Sequence, residues 1–218
     1  MTNHTPAETT EWVAGNLKTA VHVTKVEILS EQVLRVSRDK YAPYVAGVVS
    51  VNCVKTDTIL PLIKSNFQIE IIANIPKESY WTGEALLVAK AHNIAVGSYG
   101  DLLRVINTGN VRAFQQKETA FIDRGLRQHD RISGFERMHD RLYLIHRNSL
   151  PDITVVMLNE YELTANHLRT ARDRYGKFSL AVITNPNGRA TSSAKEAGQT
   201  MGVEILNWKA FFGRINTK

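Results

Sequence analysis

The chain has 218 residues, of which 43% are hydrophobic and 22% charged, with a formal net charge of +6 at pH 7. This composition excludes a disordered polymer, and a single cysteine, Cys53, excludes a disulfide-built miniature. No apolar run approaches the ~20 residues of a membrane span, and "MTNHTPAETTEW" lacks the basic start and apolar core of a signal peptide, so a cytoplasmic protein with no membrane partner is expected.

Hydrophobic periodicity predicts the elements in chain order. A first helix over about 9–19 is followed by two or three short strands, among them 33–37 and 45–51, then a helix at 56–64 and an apolar strand at 69–73. A polar loop, a helix, a short strand at 94–96 and a last helix complete the set. The same succession then recurs: a helix at 118–129, strands at 142–146 and 153–158, a helix at 164–175, a strand at 180–184, and a strand at 203–206 between two helices. The order α-β-β-β-α-β-α-β-α predicts a mixed sheet covered by helices on both faces.

The sequence itself repeats. "VLRVSR" (33–38) matches "LYLIHR" (142–147), and "VVSVN" (48–52) matches "VVMLN" (155–159). Phe67 falls on Phe178, Asn74 on Asn185 and Leu102-Leu103 on Phe211-Phe212, with offsets between 107 and 111. Trp12 falls on Phe121 and Leu17 on Leu126. A tandem duplication over 8–107 and 117–216 is therefore expected, with "TGNVRAFQQ" as the link. Charge divides unevenly between the copies. Met1 to Gly109 holds 10 Lys/Arg against 10 Asp/Glu, and Asn110 to Lys218 holds 17 against 11. The excess points to one face meeting a polyanion.

The stretch "LAVITNPNGRATSSAKEAGQTMGVEILNWKAFFGRI", preceded by a β-hairpin and a helix, resembles the closing part of Mrr-type domains of the restriction-endonuclease-like fold. The resemblance covers about 75 residues of the second copy and extends more weakly to the first. It implies an α/β fold of two tandem restriction-endonuclease-like repeats, a pseudo-dimer in one chain. In that family an acidic residue on the second strand and a Glu/Gln-x-Lys pair on the third hold a divalent cation that activates water. The third strands here, "VAGVVSV" and "ITVVML", carry neither acid nor lysine.

The leading expectation is thus a non-catalytic nucleic-acid-associated protein without cofactor, with the resemblance implying a subunit of a prokaryotic restriction or antiviral-defence complex. One alternative is a nuclease that uses Mg²⁺ on displaced carboxylates, for which Glu118, Asp140, Asp152 and Glu160 are the candidates. Another is a nucleotide-sensing or assembly module. The expected nucleic-acid contacts are Arg124, Arg127, Arg131, Arg147, Arg169 and Arg172, since guanidinium groups suit phosphates. Trp81 and Tyr80 offer rings for base stacking. The loop "TNPNGRATSS" is the candidate anion site, through Asn185, Arg189, Thr191 and Ser192 at a helix start. Its competing reading is a plain turn and N-cap. No Cys/His spacing fits a zinc site, and His129, His139 and His146 read as ordinary helix-end and strand residues.

Overall fold

A computed structural model describes residues 5–217, which divide into two compact units between Gln116 and Lys117. The first unit runs α1 (Pro6–Leu17), β1 (Val23–Ser30), β2 (Val33–Arg38), β3 (Tyr44–Val49), β4 (Cys53–Val54), α2 (Thr56–Ile63), β5 (Ile71–Asn74), β6 (Tyr80–Trp81), α3 (Gly83–Ala91), β7 (Ala95–Ser98) and α4 (Tyr99–Val105). Its main sheet has the order β1-β2-β3-β5-β7, antiparallel through β3 and parallel beyond it. The central strand β3, "YVAGVV", is buried at every position, as expected of a strand covered on both faces. On one face Val13, Leu17, Leu102 and Val105 of α1 and α4 pack on the sheet. On the other, Ile59, Leu62, Ala85 and Ala89 of α2 and α3 do so.

The second unit runs α5 (Lys117–Arg127), β8 (Ile132–Arg137), β9 (Leu142–Arg147), β10 (Leu150–Leu158), β11 (Glu162–Leu163), α6 (Ala165–Tyr175), β12 (Leu180–Ile183), β13 (Arg189–Ala190), α7 (Ser192–Met201), β14 (Glu204–Asn207) and α8 (Trp208–Ile215). Its main sheet has the order β14-β12-β10-β9-β8, which is the first topology read from the other edge. Both units also hold a two-stranded parallel ribbon, β4-β6 in one and β11-β13 in the other. The α/β class with mixed, helix-flanked sheets is therefore observed in each unit. Sequence periodicity did not resolve β1, β8 or the ribbons. β1 and β8 are outer, half-exposed strands rich in charge, and the ribbon strands are two residues long.

Backbone hydrogen bonds sharpen the correspondence between the units. Val48 N–H donates to Gln32 O and Met157 N–H to Arg141 O. Asp39 N–H donates to His22 O and Asn148 N–H to Arg131 O, and Thr82 N–H to Val54 O as Thr191 N–H does to Leu163 O. Every one of these pairs is 109 residues apart, so no insertion separates the two units over this span. Val48 thus corresponds to Met157, Ile69 to Phe178 and Asn74 to Ile183. The pairings of "VVSVN" with "VVMLN", of Phe67 with Phe178 and of Asn74 with Asn185 are each corrected by two residues. A two-residue slip leaves each strand side chain on its own face, so apolar runs match almost equally well in either register.

The same relation holds where helices stop. Asn93 (φ 54°) ends α3 and Gly202 (φ 64°) ends α7, both in the left-handed region that an αL stop requires.

Candidate functional site

The four candidate carboxylates occupy separate stations. Glu118, in the first turn of α5, accepts Arg141 Nη1 at 3.0 Å and Nη2 at 3.1 Å, and Thr184 Oγ1 donates to it at 2.8 Å. Asp152, at the entrance of β10, accepts from His146 Nδ1 at 2.8 Å, and the other ring nitrogen faces Glu136 at 3.3 Å. That double contact holds the imidazole above its ordinary pKa, the Asp152 hydrogen bond acting most strongly. Glu160 lies 3.9 Å from His167 Nε2. Asp140 sits between β8 and β9, where Tyr175 donates to its carboxyl and Oδ1 has no hydrogen-bond partner among the described residues.

Glu118 and Asp140 meet only through Arg141. This guanidinium binds Glu118, feels Asp140 and donates to Met157 O at 3.2 Å, at the carboxyl end of β10. Burial works against its charge, but Glu118, with Asp140 and Tyr175 behind it, more than offsets that and its pKa is raised. These residues do not fit a divalent cation. Both oxygens of Glu118 are committed to a cation already, and no group of three or more His, Cys, Asp or Glu able to hold a metal ion occurs among the described residues.

Burial drives the Asp140 carboxyl above its usual range, against the pull of Arg141, the Tyr175 hydrogen bond and Arg137. A neutral carboxyl is thus favoured in the folded chain. It contributes most stability below the unfolded value of about 3.9, and that contribution is lost as pH rises through the higher folded value. Asp140→Asn, which keeps the shape but cannot ionise, is expected to raise the urea midpoint at pH 7 and to raise it less at pH 4.5. An equal or lower midpoint at pH 7 would mean that the arginines keep this carboxylate charged.

The guanidinium candidates separate into two sets. Arg124, Arg127, Arg131 and Arg169 are exposed, and Arg124, Arg131 and Arg169 enter no ion pair among the described residues. Arg127 lies over the Phe135 ring at 5.4 Å. Arg147 is 7% exposed and donates inward to Pro151 O, Ile215 O and Thr217 O. Arg172, half-buried, donates to Met201 O at 3.2 Å and stacks on Phe178 at 4.9 Å. Trp81 is buried in the core of its unit and offers no ring to a base.

The polar groups of the "TNPNGRATSS" loop satisfy one another. Asn185 Oδ1 accepts from Asn187 N–H at 3.0 Å, and Arg189 pairs with Glu162. Thr191 Oγ1 caps α7 by accepting from Ala194 N–H at 3.2 Å while donating to Leu163 O at 3.0 Å. Thr82 does the same for α3, with Ala85 N–H and Val54 O. Ser192 is exposed on the first turn. The loop is built as a ribbon and a cap, with Arg189 neutralised, and this geometry favours the plain-turn reading over an anion site.

Sequence reading missed one feature on the second unit. Phe121 of α5, 46% exposed, packs on Trp208 of α8 with ring centroids 4.9 Å apart. Trp208 meets Phe212 edge-on at 4.9 Å, and His129 stacks on Phe212 at 5.3 Å. The helices approach closely because Gly125 lies under Trp208: a Cβ there would stand 2.6 Å from Trp208 Cζ2. The signal was present as aromatic residues at i and i+4 on α8, with Phe121 and Gly125 at the same spacing along α5 and His129 four further on, just past its end.

No family model, curated protein or solved structure matches this chain. Among the described residues no helix is long and apolar enough to cross a membrane.

Proposed function

We propose that this chain is a nucleic-acid-associated protein that binds without cutting, built from two tandem copies of one restriction-endonuclease-like unit. The observation that carries the reading is that Arg124, Arg131 and Arg169 are exposed, enter no ion pair among the described residues, and all lie in the unit that holds the charge excess. Free guanidinium groups favour phosphate because they displace condensed counterions and bond oxygens in a fork. The helix, three antiparallel strands, helix and parallel strands of each unit support the fold assignment, as does the constant 109-residue correspondence. The commitment of Glu118 to Arg141 and of Asp152 to His146 favours binding over metal-assisted hydrolysis. Membership of a restriction or antiviral-defence complex is what the resemblance to Mrr-type domains implies, and no contact among the described residues bears on it.

Mobility shift on duplex and single-stranded DNA and RNA tests the reading. Binding is expected at low salt and is expected to weaken steeply as salt rises. The triple variant Arg124→Ala/Arg131→Ala/Arg169→Ala is expected to bind about tenfold or more weakly and to flatten the salt dependence, as the loss of phosphate contacts requires. Absence of binding to every probe at low salt would overturn the proposal.

A further inference from the structure

We propose that the aromatic shelf formed by Phe121, Trp208 and Phe212 is a stacking platform for single-stranded nucleic acid. The inference rests on the nucleic-acid reading above and gives it a place on the molecule.

Phe121 is nearly half exposed although it is a large apolar side chain on a helix whose inner face, Thr119, Ile122 and Leu126, is already buried. Its ring is held in place from below by Trp208 and so needs no ordering when a base arrives. Two cations share its side of α5: Lys117, four residues before it, and Arg124, three after, both exposed. Lys209, beside Trp208 on α8, is exposed as well. Of the two acids nearest in sequence, Glu118 is turned inward to Arg141 and Thr184, and Asp123 is half-buried with its Oδ1 shielded from solvent. A ring flanked by free cations suits a strand whose base lies on the ring and whose phosphates lie beside it. In a duplex the base faces are already stacked on one another, so the shelf selects single strands.

The first unit supplies an internal comparison. At the corresponding position Trp12, 51% exposed, packs on Tyr99 with centroids 5.1 Å apart. The flanking cations are absent. Glu8 stands where the second unit has Lys117, Gly15 where it has Arg124, and Gly100 where it has Lys209; Glu11 is exposed beside Trp12. The same ring pair is therefore presented in an acidic setting on one unit and in a basic setting on the other. Packing between the first and last helices explains the aromatic pair in both units. It does not explain the charge change, and a polyanion does.

The test uses the full chain and fluorescein-labelled oligothymidylate and oligouridylate, with a duplex of equal length, read by anisotropy at low and moderate salt. Phe121→Ala is expected to weaken single-strand binding about tenfold, within the range for loss of one stacked base, and to change duplex binding far less. Trp12→Ala is expected to leave both unchanged. Arg124→Glu, an exposed change that leaves the ring packing intact, is expected to weaken binding at low salt and to flatten the salt dependence, and it decides the matter if Phe121→Ala does not fold. Stronger binding of one oligomer identifies the strand as DNA or RNA, and either supports the shelf. Wild-type binding that survives both Phe121→Ala and Arg124→Glu would overturn the shelf and leave the broader function standing. No binding by the unmodified chain would overturn both. Self-association in sedimentation that Phe121→Ala abolishes, with oligonucleotide binding unaffected, would reassign the shelf to protein contact.

Discussion

Arg38→Ala is expected to destabilise the first unit by about 3 kcal/mol, the largest single loss foreseen for this chain, because it orphans several buried carbonyls at once. Arg38 is 8% exposed at the end of β2. Its Nε and Nη2 both donate to Ala42 O, while Nη1 reaches Val105 O and Thr108 O at 2.8 Å each and Ile106 O at 3.4 Å. The last carbonyls of a helix have no N–H partner within it, and a cation there also meets the negative end of the helix dipole. Arg38 meets both needs for α4 and binds the helix end to the turn after β2. Tyr44 and Tyr41 flank the guanidinium at 5.0 and 5.4 Å from their ring centroids.

Arg147, 109 residues on, bonds Pro151 O, Ile215 O and Thr217 O, three of the four corresponding stations in the second unit. Leu150 and Ile153 replace the two tyrosines, so Arg147→Ala is expected to cost less, about 2 kcal/mol. Lysine keeps the charge but not the planar fork, and Arg38→Lys is expected to recover less than half of the loss. Urea titration followed by tryptophan emission measures both effects, since Trp12 and Trp81 lie in the first unit and Trp208 in the second. Unchanged midpoints would show the clamps to be dispensable.

These two arginines also show what was legible in the sequence. The closing Arg of "VLRVSR" and "LYLIHR" is the clearest one-letter coincidence of the repeat, and it led correctly to equivalent positions. Its role was not legible: an arginine that binds helix-end carbonyls and one that binds phosphate look alike until the carbonyls are placed, which left Arg147 among the nucleic-acid candidates. Long apolar strands and amphipathic helices were readable because burial on one or both faces imposes a period. The ribbons β4-β6 and β11-β13 impose none, being two residues long. Thr191 was readable as a cap from its place before a helix. That its hydroxyl is also used by Leu163 O, which leaves less of it for a ligand, depends on the ribbon pairing. The Phe121–Trp208 contact joins the first and last helices of the unit, a distance in sequence that no local pattern spans.

The second large effect concerns Glu118 and Arg141, where the units differ in kind. At the equivalent positions the first unit has Thr9 and Gln32, and Gln32 Nε2 donates to Val48 O at 3.4 Å much as Arg141 donates to Met157 O. The second unit has thus installed an ion pair at a site that works with neutral residues. Glu118→Ala and Arg141→Gln are each expected to destabilise by about 2 kcal/mol, since each removes charge-assisted hydrogen bonds from a partner that is only partly solvated. The side chains are 23% and 38% exposed, which lets water limit the loss well below that of a fully buried pair. The double change Glu118→Thr/Arg141→Gln, which copies the first unit, is expected to cost less than the sum of the single changes by about 1–2 kcal/mol. Strict additivity in a urea titration series would show that the pair is not coupled.

Arg141→Gln carries a second, separable signature. Arg141 holds the Asp140 carboxyl down against the effect of burial. Without it the Asp140 pKa moves further up, so the variant's deficit is expected to be larger at pH 7 than at pH 4.5, whereas Glu118→Ala lacks that added dependence. If the double variant also binds oligonucleotides like the unmodified chain, the ion pair serves the architecture of the second unit, and recognition rests with the exposed guanidinium groups and the aromatic shelf.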